Sequence, residues 1–215
     1  METQTLIDTL AIGLRPVSRR AVGVRLATGA AGGSAAALVL VALWLGFRPD
    51  LPAAILGGPF WMKWGYTIWL GVAALAVTRV LVRPDTSTPS REAVATAGVP
   101  VVLLAAAAAY QWVTTPMPGQ AVLWFGFSWQ VCAVRIFLVS LPIFAGLVWA
   151  IQGLAPVRLR LAGLAAGGAA GGLGATVYAL HCPEVSACFV LVWYSLGIVS
   201  TALLGALTGP RLLRW

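Results

Sequence analysis

The chain has 215 residues, of which 60% are hydrophobic and only 9% charged, with a mean hydropathy of +0.91 and a net charge of +8. Soluble domains carry about 25% charged residues, and a chain this apolar cannot cover itself with polar surface; a soluble globular protein is excluded. The basic residues are spread along the chain, as expected of arginines at cytoplasmic helix ends, so no direct contact with nucleic acid is expected.

Residues 1–25 form the longest segment outside the apolar spans. Leu6, Ile7, Leu10 and Leu14 fall on one helical face, with Thr3, Thr5 and Asp8 near the start as capping candidates. Arg15, Arg19, Arg20 and Arg25 follow around Pro16. This reads as an amphipathic helix, a break and a basic run. Two roles fit it equally: a helix lying on the bilayer, or a docking helix for a cytosolic partner.

Residues 26–208 then divide into six apolar stretches, each near the roughly 20 residues a spanning helix needs. They are predicted at Leu26–Gly46, Trp64–Val82, Ala93–Val113, Gln130–Leu154, Leu161–Leu180 and Glu184–Thr208, with Pro100 and Pro142 inside two of them. No small-residue cleavage site follows the first span, so it is read as an anchor and not as a signal peptide. The loops are short, and residues 209–215 form a basic tail. The expected fold is an all-α integral membrane protein with six transmembrane helices.

Orientation follows from charge. Taking alternate connections as one side collects Arg15, Arg19, Arg20, Arg25, Arg79, Arg83, Arg91, Arg158, Arg160, Arg211 and Arg214, eleven of fourteen basic residues. The other side holds Arg48 and Lys63, with Arg135 just inside the fourth span. The positive-inside rule makes both termini cytoplasmic. Cys132, Cys182 and Cys188 then all lie near the outer face, where disulfides persist.

The stretch Tyr178 to Glu184 gathers the chain's only histidine, His181, with Cys182 and Glu184. Arg135 stands at i+3 from Cys132, on the same side of its helix, where it would favour a thiolate. Pro183 suits the first position of the sixth helix, which would put Cys182 at a helix N-terminus, with Glu184 in the first turn and within reach of Arg135. A redox or metal-responsive pair is expected on the strength of low thiol pKa and exposure. A stable metal centre is not expected, because the paired Cys-x-x-Cys spacing of structural zinc sites is absent. A transient metal would draw on Cys132, Cys182 and His181. No cofactor is expected, and nothing marks an enzyme: the carboxylates Glu2, Asp8, Asp50, Asp85, Glu92 and Glu184 all fall in tails, loops or helix ends, away from the buried relays of pumps.

Gly163, Gly167 and Gly171 in the fifth span face Gly197, Thr201, Gly205 and Gly209 in the sixth at small-residue spacing, which predicts close packing of the two helices. Gly29 and Gly33 repeat the pattern in the first span.

Taken in order, Leu14-Arg15-Pro16-Val17, Gly46-Phe47-Arg48-Pro49-Asp50-Leu51, Phe60 to Lys63, Cys132 with Ile136 and Pro142, Tyr178 to Glu184, Trp193-Tyr194-Ser195-Leu196-Gly197 and Gly209-Pro210-Arg211-Leu212-Leu213 resemble the NrsF-type membrane anti-sigma factors. The resemblance implies a protein that holds an extracytoplasmic-function sigma factor at the inner membrane and releases it under periplasmic metal or oxidative stress. The family's paired cysteines match Cys132 and Cys182; Cys188 is outside the pattern. The chain lacks the His-x-x-x-Cys-x-x-Cys signature of zinc-type anti-sigma domains, so a sigma factor would be held by Leu6, Ile7, Leu10, Leu14, Arg15, Arg19 and Arg20 together with the cytoplasmic turns. A different class using the same cysteines, a membrane thiol-redox protein or small metal carrier, is the other reading. The oligomeric state is not encoded in any feature of the sequence.

Overall fold

The computed structural model describes residues 3, 5, 20–83 and 91–214. The amphipathic stretch from Leu6 to Arg19 lies outside the described residues. Arg20 is exposed in the turn ahead of the first helix.

Among the described residues there are helices and no strands, and six helices are long and apolar enough to cross a membrane. Helix α1 is Ala21–Leu45, its last residues Val41–Leu45 forming a π-helical turn closed by Gly46 at φ 73°. Helix α2 is Gly58–Leu81, α3 Arg91–Thr114, α4 Trp129–Gln152 and α5 Leu159–Tyr178. Helix α6 is Ala187–Leu212, with a second π-helical turn at Val190–Tyr194. Short helical turns at Leu51–Ala54 and Gln120–Phe125 join α1 to α2 and α3 to α4.

Four ends differ from the sequence expectation: α1 starts at Ala21 and not at Leu26, and α6 runs on through Pro210 to Leu212 past the expected end at Thr208, so that most of the expected basic tail from 209 is helical. Helix α2 starts at Gly58 and not at Trp64, because Pro59 fits the first turn, where a missing N–H costs nothing, and Phe60 stacks on Trp64 at 5.8 Å while both meet Trp61 edge to face at 5.7 Å. Helix α6 starts at Ala187 and not at Glu184, for a reason that belongs to the cysteine site below.

Helix α5 runs through the middle, packed on α6, α2 and α4. Its buried face is almost entirely glycine and alanine, so neighbouring backbones touch it directly. A Cβ at Gly163 would collide with the Gly205 carbonyl, one at Gly167 with the Thr201 carbonyl, and one at Gly172 with the backbone of Gly71. In lipid there is no hydrophobic drive between helices, and close backbone approach with its dispersion contacts takes that place. The expected α5–α6 seam is therefore internal to the chain. Gly29 and Gly33 make a second seam, against Gly146 and Ile143 of α4. Helix α3 is peripheral, resting on α2 and the first turn of α6.

The buried apolar side chains form two clusters. One runs through the bundle and takes in Leu26, Leu81, Ile151, Ala162 and Leu213 as well as Val41 and Val139; Arg25 against Gly153 and Gln152 donating to the Leu212 carbonyl at 3.1 Å put the start of α1, the end of α4 and the end of α6 on one side. Tyr66, Cys132, Ile136, Tyr178, Cys182 and Tyr194 belong to the other.

Candidate functional site at the cysteine cluster

Cys132 lies in the first turn of α4, its backbone N–H donating to the carbonyl of Ser128, the residue preceding the helix, at 3.0 Å. Cys182 follows α5, held by an N–H bond to the Tyr178 carbonyl at 3.1 Å. Both side chains are fully buried free thiols, and the Cys132 thiol is within hydrogen-bonding reach of Cys182. The Tyr178 hydroxyl reaches Cys132, and the Tyr194 hydroxyl, buried without a well-directed hydrogen bond, lies beside Cys182. The exposure expected of these cysteines is thus corrected: all three of the chain's cysteines are buried.

The cation beside the pair is Lys63, not Arg135. Lys63 is the only lysine in the chain and is completely buried. Its ammonium donates to the carbonyls of Cys182 at 2.8 Å and Glu184 at 2.9 Å, and sits 5.7 Å from the Tyr194 ring centroid. The Cys132 hydrogen bond and then the Lys63 charge hold the Cys182 thiol at about 6, against a usual 9.0, and outweigh the burial that pushes it up. Arg48 covers the same loop. Its guanidinium donates to the Cys182 carbonyl at 3.4 Å and to both carboxylate oxygens of Asp50 at 2.7 and 2.6 Å, while its N–H donates to the Leu180 carbonyl at 3.1 Å.

This carbonyl traffic explains the late start of α6. Residues 182–186 stay non-helical, with two of their carbonyls turned to Lys63. Ser186 caps the helix instead of Cys182, its hydroxyl accepting the Phe189 N–H at 3.5 Å, and Gln111 of α3 accepts the Ala187 N–H at 2.8 Å. Cys182 is therefore not at a helix N-terminus.

The three supporting residues take up separate stations. Arg135 is turned to Tyr178 and to the His181 Nε2 at 3.4 Å. His181 Nδ1 lies 2.9 Å from the Gly46 carbonyl. A carbonyl can only accept, so Nδ1 carries the proton and Nε2 accepts from Arg135. A metal drawn to His181 through Nε2 would have to displace Arg135. Glu184 does not pair with Arg135: one carboxylate oxygen accepts the Phe127 N–H at 2.7 Å and the Ser128 N–H and hydroxyl at 3.2 Å each, at the start of α4, where the helix dipole favours an anion. Cys188 turns away to α3, donating to the Ala108 carbonyl at 3.3 Å. Among the described residues no group of three or more histidine, cysteine or acidic side chains is placed to hold a metal ion.

Sequence reasoning overlooked Lys63, Arg48, Tyr178 and Tyr194 as members of this cluster. The available signal was Lys63, the one lysine of the chain, set among Phe60, Trp61, Met62 and Trp64 directly before an apolar span.

Residues 10–215 match the family described as negative regulator of sigma F, NrsF. The chain belongs to the NrsF family. It is 43% identical over 216 residues to the anti-sigma-F factor NrsF of Caulobacter vibrioides, with all of both chains covered. It is 38% identical over 215 residues, again with all of both chains covered, to a probable anti-sigma-F factor NrsF of Azospira oryzae. No solved structure matches the chain. Membership makes it a negative regulator, and its six long apolar helices are those of a membrane protein.

Proposed function

We propose that this NrsF-family protein is an inner-membrane anti-sigma factor for an extracytoplasmic-function sigma factor, N-in and C-in, that lets its partner go when Cys132 and Cys182 meet an oxidant or a thiophilic metal at the periplasmic end. The observation that carries the reading is the contact of the two thiols, from α4 and from the α5–α6 loop, at the bundle end opposite the arginine-rich one. Oxidation joins the two sulfurs with loss of the proton still on Cys132, two electrons passing to a peroxide whose O–O bond breaks and which takes up protons to leave as water. A thiophilic cation displaces that proton without electron transfer.

Helix α4 links the ends. Over its 24 residues it spans ~36 Å. At its far end, Gly153 lies against the Arg25 guanidinium, which also stands over the Trp149 ring at 5.5 Å. Arg25 belongs to the start of α1, directly after the segment that carries Leu6, Ile7, Leu10, Leu14, Arg15, Arg19 and Arg20, the proposed sigma-docking residues. A coupling of about 1–3 kcal/mol, or roughly 5–150-fold in affinity, is typical between such sites and suffices to free a partner held modestly.

The test is co-purification of the sigma factor with full-length protein before and after treatment with peroxide or a cadmium salt. Wild type loses its partner on treatment and the C132S/C182S double variant keeps it; identical loss from both would end the sensing reading. Deletion of residues 1–20 removes the partner in untreated membranes, and its retention would move the docking site elsewhere. The carrier alternative wants thiols along a path, whereas all the cysteines and the histidine stand at one end; metal accumulation in proteoliposomes would revive it.

A further inference from the structure

Small residues serve this bundle in two ways. Along the α5–α6 and α1–α4 seams they let backbones touch. Between α1 and α2 they leave a gap. These two helices scarcely meet, and a groove of about 240 Å³ runs between them, lined by Gly23, Leu26 and Ala27 of α1 and by Leu75, Ala76 and Arg79 of α2. Val72 and Ala76 carry it on into a second hollow of about 490 Å³, which reaches Trp69 and Gly65. A Cβ at Gly65 would meet nothing within 4 Å. The Trp69 indole N–H donates to the Thr96 carbonyl of α3 at 3.0 Å, so the ring bridges α2 to α3 at the deep end of the groove. From Arg79 to Trp69 helix α2 rises ~15 Å, one leaflet of a hydrocarbon core about 30 Å thick. The groove thus has the length of a lipid tail and begins at an arginine.

The charge at that mouth is unanswered. The Arg79 side chain is exposed and lies along Gly23, where a Cβ would be 3.5 Å from its Cζ and 3.6 Å from its Nε, so the guanidinium reaches from α2 across to α1. Among the described residues the only ion pair is that of Arg48 with Asp50, at the other end of the bundle. Arg83 follows just past the end of α2, and the one described carboxylate on this side is Glu92, in the first turn of α3. We propose that the groove is a binding site for one glycerophospholipid with a net negative headgroup, such as phosphatidylglycerol: Arg79 holds its phosphate, and one acyl chain lies between α1 and α2 as far as Trp69. A guanidinium presents paired N–H donors to phosphate oxygens, and basic pockets between helices on the cytoplasmic side take such headgroups. A zwitterionic headgroup brings its own cation, which would face Arg79 and Arg83 with only Glu92 to receive it. With the N-in orientation proposed above, the groove opens into the cytoplasmic leaflet, within a turn of Arg20, where the chain enters α1. The lipid contact itself depends neither on that orientation nor on the cysteines.

The experiment is native mass spectrometry of the full-length protein in a mild detergent, with phosphatidylglycerol and phosphatidylethanolamine of matched chains added in equal amounts. Wild type keeps one phosphatidylglycerol in preference to phosphatidylethanolamine. R79Q lowers that preference about fivefold, the effect of one arginine on an anionic headgroup. A76F fills the groove without altering the charge and loses the bound lipid as well. Both side chains are exposed, so neither variant disturbs the packed core. R211Q, at the same end but on α6, keeps the wild-type preference. Equal binding of the two lipids by wild type overturns the proposal, as does a preference unchanged in R79Q. Equal loss in R79Q and R211Q would replace the site with diffuse surface charge, and full lipid retention in A76F would show that the groove holds no chain; either result ends the proposal.

Discussion

The carboxylate of Glu184 accepts the backbone N–H of Phe127 at 2.7 Å across 57 positions of sequence, and so fastens the cysteine-bearing loop to the start of α4. With Ser128 donating twice to the same oxygen, this is the tie that keeps Cys182 opposite Cys132. E184A is expected to lower stability by about 1–3 kcal/mol, the range for bonds to a charged acceptor, and to slow peroxide-driven disulfide formation between Cys132 and Cys182. Thermal unfolding in micelles and non-reducing mass spectrometry read the two effects. A variant as stable as wild type and oxidised at the same rate would show that the tie is ornamental.

Gly126 meets the same carboxylate from the other side. It has φ +51°, and a Cβ there would lie 2.5 Å from the Glu184 Oε2. G126A combines left-handed strain, about 1–2 kcal/mol, with displacement of Glu184. It should therefore be at least as harmful as E184A, and the double variant should cost less than the sum, because both act through one contact. Full additivity in melting experiments would contradict this.

The glycine seams make a sharp contrast among substitutions of identical chemistry. G205A pushes a methyl into the Gly163 carbonyl, whereas G65A meets nothing within 4 Å. G205A should melt earlier, by about 1–3 kcal/mol as for overpacking, while G65A should be neutral or stabilising by about 0.5–1 kcal/mol from helix propensity. Equal melting of the two would undo the seam.

Cys188 separates burial from reactivity. Its thiol is committed to Ala108 of α3, so C188S should leave stress-driven release of the sigma factor intact, with the wild-type dose response in a reporter strain. Loss of response in C188S would mean that the third thiol takes part.

A thiol held at about 6 gives the site a pH profile. The folded value lies below the usual 9.0, so the thiolate's contribution to stability is complete above about pH 9, shrinks as pH falls, and is gone below about pH 6. Peroxide attack follows the thiolate fraction; its rate should climb about tenfold per pH unit below about pH 6 and level off by neutrality. Stopped-flow or quench measurements on C188S protein, where a single pair reacts, give the curve. A rate still rising steeply at about pH 8 would show an ordinary thiol.

Much of this was legible in the residues. Span length and the arginine count fix six helices and their pairing of ends, and the four-residue glycine period named the α5–α6 seam. Cys132 and Cys182 were brought to one end by the same count. What escaped was local. Pro183 argued for a helix start at Cys182, a rule about backbone donors that takes no account of a lysine 119 positions away claiming the carbonyls. Lys63 itself read as an outer-side charge because a cation near a helix end ordinarily snorkels to water; only the fold turns it inward. Arg135 obeyed its i+3 geometry yet found Tyr178 and His181 closer to hand. Long-range polar contacts leave no period in a sequence.

Complete burial of Cys132 and Cys182 has a consequence in time. No reagent touches either sulfur until the cover over them parts, and that cover is held by Arg48 on Leu180, His181 on Gly46 and Lys63 on Cys182. An opening that costs about 3 kcal/mol exposes the pair for less than about 1% of the time. The response rate is then the product of that small fraction and the reagent concentration, so a brief trace of oxidant passes unrecorded and a sustained dose does not. A thiol pair behind a rarely open door integrates dose over time and responds with a built-in delay, and that suits a protein whose output is a change in transcription.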